Sequence, residues 1–215
     1  MSKHYDLIVF DWEGTIVDTL GALFNSVAQE SVVMGLNLDP DKLRNFVELG
    51  LVNAVKKAYP QLTEAEKTQL VHAVQMAMYT RSSEIWLIPG VRECIDKIHS
   101  AGVQIAIATN KSQSSLSRAL QHTGLDKLFK ITRSAGQVPP KPCPQMLEEI
   151  MDVFNVKAQK TLMVGDSPID MEMAHSIKVD AVGMDFYHQE EHALKLSGAL
   201  EVFADYTALQ KYLKL

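Results

Sequence analysis

Residues 7–15 of the chain read LIVFDWEGT, an apolar run that ends in two carboxylates and a glycine. Four apolar residues followed at once by turn residues predict a buried strand. Gly14 lets the backbone bend sharply directly after Asp11 and Glu13. Two carboxylates one residue apart at the end of such a strand indicate a nucleophile or a metal site, although Asp and Gly also serve as ordinary turn residues.

The composition excludes several classes of protein. The 215 residues are 47% hydrophobic and 22% charged, typical of a soluble globular chain, and they suffice for one core or for a core with a smaller accessory unit. A net charge of -5 without basic runs argues against a nucleic-acid partner. Cys94 and Cys143 have no disulfide-framework or thiolate-metal spacing, which fits a reducing compartment. No signal peptide or membrane-spanning run is recognisable, so we expect a cytoplasmic protein that binds no membrane.

The segment after Thr15 has the periodicity of helices and no strand. Asp18 precedes one apolar helical pattern, and Thr63 with Glu66 forms the capping box of another. About 65 residues of helix are too many for a simple crossover between two parallel strands. We therefore predict a helical cap domain at 17–83, inserted into a core made of 1–16 and 84–215.

From Trp86 onward, strand and helix patterns alternate. Helices are predicted after Pro89 and Gly90, before Gly124 and over 145–154. Strands are predicted at 103–108, 129–132, 161–164, 181–182 and 202–203. This alternation is typical of the α/β class and predicts a doubly wound parallel sheet, with the helical cap as an insertion.

Three of the predicted strands end on polar residues that can carry chemistry. Ligands of open parallel sheets bind at the carboxyl ends of the strands, and these ends lie on one edge. We expect the following side chains to meet there: Asp11 with Glu13, Thr109 with Asn110, and Asp166 with Asp170.

Some of these residues also have structural interpretations. The Thr109 hydroxyl is expected either to cap the following helix or to bind an anion at its N-terminus, and the two roles are compatible. Asp170 is either a site residue or the end of a capping box begun by Ser167. Lys141, on a loop stiffened by prolines, is either aimed at a fixed anion or solvated.

Four stretches together resemble the haloacid dehalogenase-like hydrolase superfamily, in particular its helical-cap phosphatases of the phosphoglycolate phosphatase type. They occur in the family's order and span almost the whole chain. The stretches are Asp11 to Thr15, Thr109 with Asn110, Lys141 with Pro142, and Gly165 to Asp170.

The resemblance implies an aspartyl-phosphate mechanism. Asp11 would attack the phosphorus of a small phosphorylated metabolite. Mg²⁺ would be held by Asp11, the main-chain carbonyl of Glu13 and Asp166, with Asp170 behind them positioning a water or Lys141. The phosphoryl oxygens would be bound by Thr109, Lys141 and the N–H of Asn110. Gly14 and the cap residues Leu49 and Gly50 would complete the phosphate and substrate site.

Glu13 departs from the family pattern, which has Asp at this position as the general acid and base. Glutamate keeps the carboxyl chemistry, but its extra methylene displaces the group by roughly 1 Å, and such a shift can cost about a hundredfold in rate. Metal and phosphate binding are expected to survive, because the metal-binding carbonyl is backbone. Turnover is the step most affected.

Three other functions remain open at this point. A phospho-ligand binding protein with impaired turnover is one, and a phosphosugar mutase of the same fold is another. Dehalogenase activity fits least, because Asp166, Lys141 and Thr109 suit a metal and a phosphate better than a halide. The sequence leaves open whether the chain is a monomer or a weak dimer.

Overall fold

The computed structural model describes residues 4–80, 86–188 and 190–215. Its contacts divide the chain into two compact units, Met1–Asp18 with Leu87–Leu215 and Thr19–Trp86. The helical cap domain was expected to begin after residue 16, two residues before the division that the contacts give. Its expected end at residue 83 lies outside the described residues. Val17 belongs to the first unit because it forms bridges with Glu13 and with Leu87.

The first unit is built on a parallel sheet. Its six strands are β1 (Leu7–Phe10), β2 (Gln104–Ser112), β3 (Ile131–Ala135), β4 (Thr161–Gly165), β5 (Asp180–Met184) and β6 (Val202–Phe203). They lie in the order β3-β2-β1-β4-β5-β6, and every neighbouring pair is parallel. The order runs outward in both directions from β1, so the prediction of a doubly wound sheet is confirmed.

Helices cover both faces of this sheet. The core helices are α4 (Val91–Ser100), α5 (Gln113–Thr123), α6 (Gln145–Phe154), α7 (Pro168–Ser176), α8 (Glu191–Leu196) and α9 (Tyr206–Leu213). Leu7 and Val9 pack in a cluster with residues of α6 and α7, while Ile8 and Phe10 alternate to the other face. All four residues of β1 are buried, as expected for a central strand covered on both sides.

The third strand differs from its prediction. Residues 129–132 were expected to form it, but the strand is Ile131–Ala135. Phe129 is apolar and buried because its ring packs edge-on against Phe10, 6.1 Å between centroids, and not because it pairs in the sheet. The polar Ser134 is inside the strand, where its hydroxyl lies 2.9 Å from Gln113 Oε1 and 3.0 Å from Gln137 Oε1 and donates to one of these oxygens.

The second unit is helical. It contains α1 (Thr19–Val33), a 3₁₀ helix (Pro40–Leu49), α2 (Leu51–Ala58) and α3 (Glu64–Thr80). The predicted capping box at the start of α3 is confirmed. The Thr63 N–H donates to the Glu66 side chain at 2.8 Å, and the Glu66 N–H donates to the Thr63 hydroxyl at 3.3 Å. Among the described helices, none has both the length and the apolar character that crossing a bilayer requires.

Candidate active site

The carboxyl ends of the central strands bring the polar residues to one edge of the sheet. β1 pairs with β2 on one side and β4 on the other, so that Phe10 is level with Ile107 and with Val164. Asp11 follows directly, and its backbone N–H donates to the Val164 carbonyl at 2.9 Å. Thr109 lies near the carboxyl end of β2, and Asp166 directly follows β4.

Three carboxylates form a cluster at this edge. Asp11, Asp166 and Asp170 each offer an oxygen, and the three oxygens lie within 4.8 Å of one another. Asp11 and Asp170 are buried. The Thr15 hydroxyl donates to Asp166 at 3.1 Å. This spacing allows oxygens of the cluster to share one hard cation.

Lys141 is buried between two of the three carboxylates. Its Nζ donates to Asp11 Oδ1 and to Asp170 Oδ1, at 2.6 Å in both cases, and its side chain is only 2% exposed. The structure therefore contradicts the alternative of a solvated loop lysine. Asp170 is the residue that the resemblance placed beside Lys141, and the contact with Asp11 directs the amine into the carboxylate cluster.

The cluster places three carboxylates beside one buried ammonium group, so negative charge is in excess. Burial lowers the pKa of Lys141, but the neighbouring Asp11 and Asp170 carboxylates overcome this effect and raise it above its usual range. Burial and the charges of Asp11 and Asp170 raise the pKa of Asp166 well above normal. Burial, followed by the charge of Asp11, raises the pKa of Asp170 to about 7. Additional positive charge would stabilise the ionised cluster.

Asp170 has both of the roles considered for it. Its Oδ2 accepts from the Ser167 N–H at 3.2 Å, completing the capping box at the start of α7. Its Oδ1 accepts from Lys141. Because each carboxylate oxygen already has a donor, Asp170 is suited to hold Lys141 rather than to serve as a primary metal ligand.

Thr109 and Asn110 are held by local hydrogen bonds at the end of β2. The Thr109 hydroxyl accepts from the Lys111 N–H at 3.2 Å. It is not the helix cap, because α5 begins at Gln113 with Ser112 at its N-cap position. The Asn110 side chain accepts from the Lys141 backbone N–H at 2.8 Å, so it fixes the loop that carries the lysine.

Glu13 lies at the rim of this edge. Its side chain is 47% exposed, and its Oε1 accepts from Lys111 Nζ at 2.7 Å. Among the described residues, no backbone N–H donates to the Glu13 carbonyl. That carbonyl is a hard oxygen of the kind that binds Mg²⁺, and its part in metal binding stays a prediction.

Two glycines allow the backbone to approach the carboxylates closely. Gly14 has a φ of 77°, and a Cβ at this position would overlap the Asp166 carboxylate. A Cβ at Gly165 would overlap the Asp170 carboxylate in the same way. Gly14 thus admits Asp166 beside the turn that follows β1, and its part in phosphate binding stays a prediction.

Leu49 and Gly50 belong to the helical unit. Leu49 ends the 3₁₀ helix and is 37% exposed. Gly50 links that helix to α2 with a φ of 76°, and no atom lies within 4 Å of where its Cβ would be. Both residues therefore lie at an open turn between two helices, and their part in substrate binding stays a prediction.

Three residues of the site were not identified from the sequence. Thr15 contacts Asp166, Lys111 contacts Glu13, and Tyr206 supports the turn after β1. The fully buried Tyr206 hydroxyl donates to the Thr15 carbonyl at 2.6 Å. Two of them had a sequence signal, since Thr15 ends the motif that begins at Asp11 and Lys111 directly follows Thr109 and Asn110. Tyr206 had none, because it is 191 residues away from its partner.

Replacing Tyr206 with phenylalanine should destabilise the protein by about 1–3 kcal/mol, because the buried Thr15 carbonyl loses its partner. Urea unfolding measures the change. Tyr79→Phe is the matched control: Tyr79 is 78% exposed, and the same deletion there should stay within about 0.5 kcal/mol. Equal effects of the two substitutions would contradict a supporting role for Tyr206.

Comparison with known families agrees with this geometry. The family model described as "Haloacid dehalogenase-like hydrolase" matches residues 8–184. The chain is 27% identical to a phosphoglycolate phosphatase of Psychrobacter arcticus over 218 residues, covering 96% of this chain and 95% of that protein. It is 30% identical to a phosphoglycolate phosphatase of Mesorhizobium japonicum over 196 residues, covering 86% and 85%.

Solved structures show the same fold. One is a haloacid dehalogenase (HAD) family hydrolase from Deinococcus radiodurans, determined with bound phosphate and sodium. Its TM-score is 0.76 at 18% identity, and the match covers 98% of this chain and 97% of that chain. A HAD-superfamily hydrolase from Geobacter sulfurreducens has a TM-score of 0.70 at 21% identity, covering 99% and 100%.

Proposed function

This chain belongs to the haloacid dehalogenase-like hydrolase family and is one of its phosphatases, and we propose that it hydrolyses a small phosphate monoester by way of an aspartyl-phosphate. The proposal depends above all on one observation. The buried carboxylate of Asp11 lies within 4.8 Å of Asp166 and 2.6 Å from the Lys141 amine. This arrangement places a nucleophile beside the charges that a phosphate dianion requires.

We propose Mg²⁺ as the cofactor. The donors that would hold it are an Asp11 oxygen, the Glu13 carbonyl and Asp166, all of them hard oxygens. Burial, followed by the charges of Asp11 and Asp170, raises the pKa of Asp166, and a bound divalent cation would favour its ionised form again. When bound, the ion would supply positive charge that lets an anionic nucleophile approach an anionic phosphate.

The first step transfers the phosphoryl group to the protein. An Asp11 oxygen attacks phosphorus, a P–O bond to Asp11 forms, and the P–O bond of the ester breaks. Glu13 gives its proton to the departing alcohol oxygen. The Lys141 amine, the Thr109 hydroxyl and the Asn110 N–H stabilise the phosphoryl oxygens as charge develops on them.

The second step returns Asp11 to its starting state. Glu13, now ionised, takes a proton from water, the water oxygen attacks phosphorus, and the P–O bond to Asp11 breaks. Phosphate leaves, and Glu13 is protonated for another cycle. Asp170 keeps Lys141 in place throughout through the 2.6 Å hydrogen bond.

We propose that the helical unit selects the substrate. The curated relatives are named phosphoglycolate phosphatases, and a small monoester of that type is the proposed substrate class. Leu49 and Gly50 would contact the part of the substrate beyond the phosphate. The protein would act in the cytoplasm, as a monomer or weak dimer, without nucleic acid or membrane.

Phosphate release tests the function. The protein is assayed with Mg²⁺ on an aryl phosphate, on phosphoglycolate and on a hexose phosphate, and each reaction is repeated with EDTA. We expect Mg²⁺-dependent release of inorganic phosphate from the aryl ester and phosphoglycolate. Conversion of the hexose phosphate to an isomer without release would show a mutase, and phosphoglycolate binding without turnover would show a binding protein.

The substitution Glu13→Asp measures the effect of the longer side chain. If the glutamate carboxylate is displaced by roughly 1 Å from the best position, the aspartate variant should be faster on phosphoglycolate by up to about a hundredfold. Rates are compared as kcat/KM, for which the aryl ester is the internal control: kcat/KM reports ester cleavage and not the second step, and an aryl leaving group needs little acid assistance. A parent protein already faster than the variant on both esters would show that the site is adapted to glutamate.

Cation affinity should rise with pH. Asp170 has a pKa of about 7 in the metal-free fold against a reference of 3.8, and that of Asp166 is also raised. The folded protein therefore holds protons that the unfolded chain has lost, so the metal-free fold loses stability as pH rises from about 4 to about 7. Mg²⁺ must displace these protons and binds more tightly at higher pH.

Isothermal titration with Mg²⁺ at about pH 5.5 and about pH 8 measures this dependence. We expect tighter binding at the higher pH and release of protons at the lower one. Asp166→Asn is the control and should abolish the binding. An affinity that does not change with pH would contradict a site formed by these carboxylates.

A further inference from the structure

The ion pair between Lys111 and Glu13 joins the carboxyl ends of β2 and β1. Its partners are 98 residues apart, and the Nζ–Oε1 distance is 2.7 Å. The lysine side chain is 27% exposed and the glutamate side chain 47%. Pairs of this exposure add little to the stability of a fold. One partner of this ion pair, Glu13, is the residue proposed to transfer protons. The position of the pair therefore points to a role in the reaction.

The end of β2 is shaped to present this lysine. Thr109 pairs with Ser134 and Ser112 pairs with Ala135. An advance of three residues along β2 therefore matches an advance of one residue along β3, which is a bulge in β2. Such irregularities re-aim side chains beside active sites. The two residues inside this bulge make the cross-site contacts: Asn110 to the Lys141 backbone and Lys111 to Glu13.

We propose that Lys111 is a positioning residue for Glu13 in the phosphatase reaction. Glutamate has one more rotatable bond than aspartate, so its carboxylate samples more positions unless another group holds it. Lys111 holds one oxygen, Oε1, which leaves Oε2 to carry the proton. This inference rests on the proposed function, because it assigns a role within that reaction.

Lys111 also acts on the charge that develops during the first step. As Glu13 gives its proton to the departing alcohol oxygen, negative charge forms on the glutamate carboxylate next to the lysine ammonium. A fixed cation at 2.7 Å stabilises this charge without exchanging a proton itself. Lys111 thus acts through Glu13, whereas the buried Lys141 is the cation beside Asp11.

The test compares Lys111→Met, Lys111→Arg, Glu13→Gln and the Lys111→Met/Glu13→Gln double variant. For each, kcat/KM is measured on an alkyl phosphate and on an aryl phosphate, since this ratio reports the step that releases the alcohol. Lys127→Met, at an exposed position outside the site, is the control.

Lys111→Met should lower kcat/KM on the alkyl ester about 10-fold, part of the roughly 10²–10⁴-fold that a positioned proton donor supplies. On the aryl ester the change should be less than about 2-fold, because its leaving group needs little proton donation. Lys111→Arg should restore most of the alkyl activity. In the Glu13→Gln background, Lys111→Met should have no further effect on either ester.

Equal losses on both esters would overturn the assignment and make Lys111 a ligand of the phosphate. If Lys111→Met lowered kcat/KM as much in the Glu13→Gln background as in the parent protein, the assignment would be overturned as well. Faster turnover of Lys111→Met would also overturn it, because it would mean that the pair restrains Glu13. All three results leave the proposed function intact. A parent protein without turnover on either ester would overturn the proposed function and this inference together.

Discussion

Replacing Asp11 with asparagine is expected to lower the rate of phosphate release by at least about 10⁴-fold, because an amide cannot attack phosphorus. The variant should remain folded. Asp11 is one of the three clustered carboxylates, and after burial its charge is the next largest cause of the raised pKa values of Asp166 and Asp170. Removing that charge relieves repulsion, while Lys141 keeps its hydrogen bond to Asp170.

The measurement is phosphate release from an aryl ester together with thermal unfolding of the same preparation. Asp152→Asn is the matched control, because Asp152 is an exposed residue of α6. It should keep the activity of the parent. An Asp11→Asn variant that retains turnover would refute Asp11 as the nucleophile, and loss of turnover accompanied by unfolding would refute the account of its charge.

Lys141→Met is expected to destabilise the metal-free protein by about 3–5 kcal/mol, the usual effect of removing one partner from a buried ion pair. The lysine side chain is 2% exposed and lies 2.6 Å from two carboxylates. Methionine has a similar length but no charge, so Asp11 and Asp170 would be left facing each other without a cation. Activity should fall as well, because the phosphoryl oxygens lose a positive charge.

Urea unfolding in EDTA measures this effect in the absence of a compensating cation. Lys195→Met removes a lysine from an exposed pair with Glu201 and should change the stability by no more than about 0.5 kcal/mol. Adding Asp170→Asn to Lys141→Met should restore part of the loss, since one buried charge is then removed. Similar effects of the two lysine substitutions would contradict a buried, charge-compensating Lys141.

The fold was predictable where the sequence carries strong local patterns. Helix α6 lies at 145–154 and the last strand at 202–203, as their apolar spacing and flanking turns indicated. The third strand was misplaced because Phe129 is buried by packing on Phe10 rather than by strand pairing. Periodicity reports burial, and it cannot distinguish an apolar loop residue that packs on the sheet from a residue within a strand.

The site was predictable to the extent that it follows from parallel-strand geometry. Asp11 and Asp166 follow neighbouring strands, so their proximity required only the correct strand order. The pairing of Lys111 with Glu13 depends on the irregular register between β2 and β3, which no sequence pattern specifies. Asn110 was expected to bind phosphate through its N–H, and its side-chain contact with the Lys141 backbone emerged only from the tertiary structure.

Acid-quenched mass spectrometry of the Glu13→Gln variant during turnover of an aryl phosphate tests the central claim most directly. This variant can form the phosphorylated protein, because an aryl leaving group needs little acid, but it lacks the base that activates water for the second step. We predict one phosphoryl group on the peptide that contains Asp11, and none when Asp11→Asn is added. Turnover without a labelled peptide, or a label on a different peptide, would contradict the account.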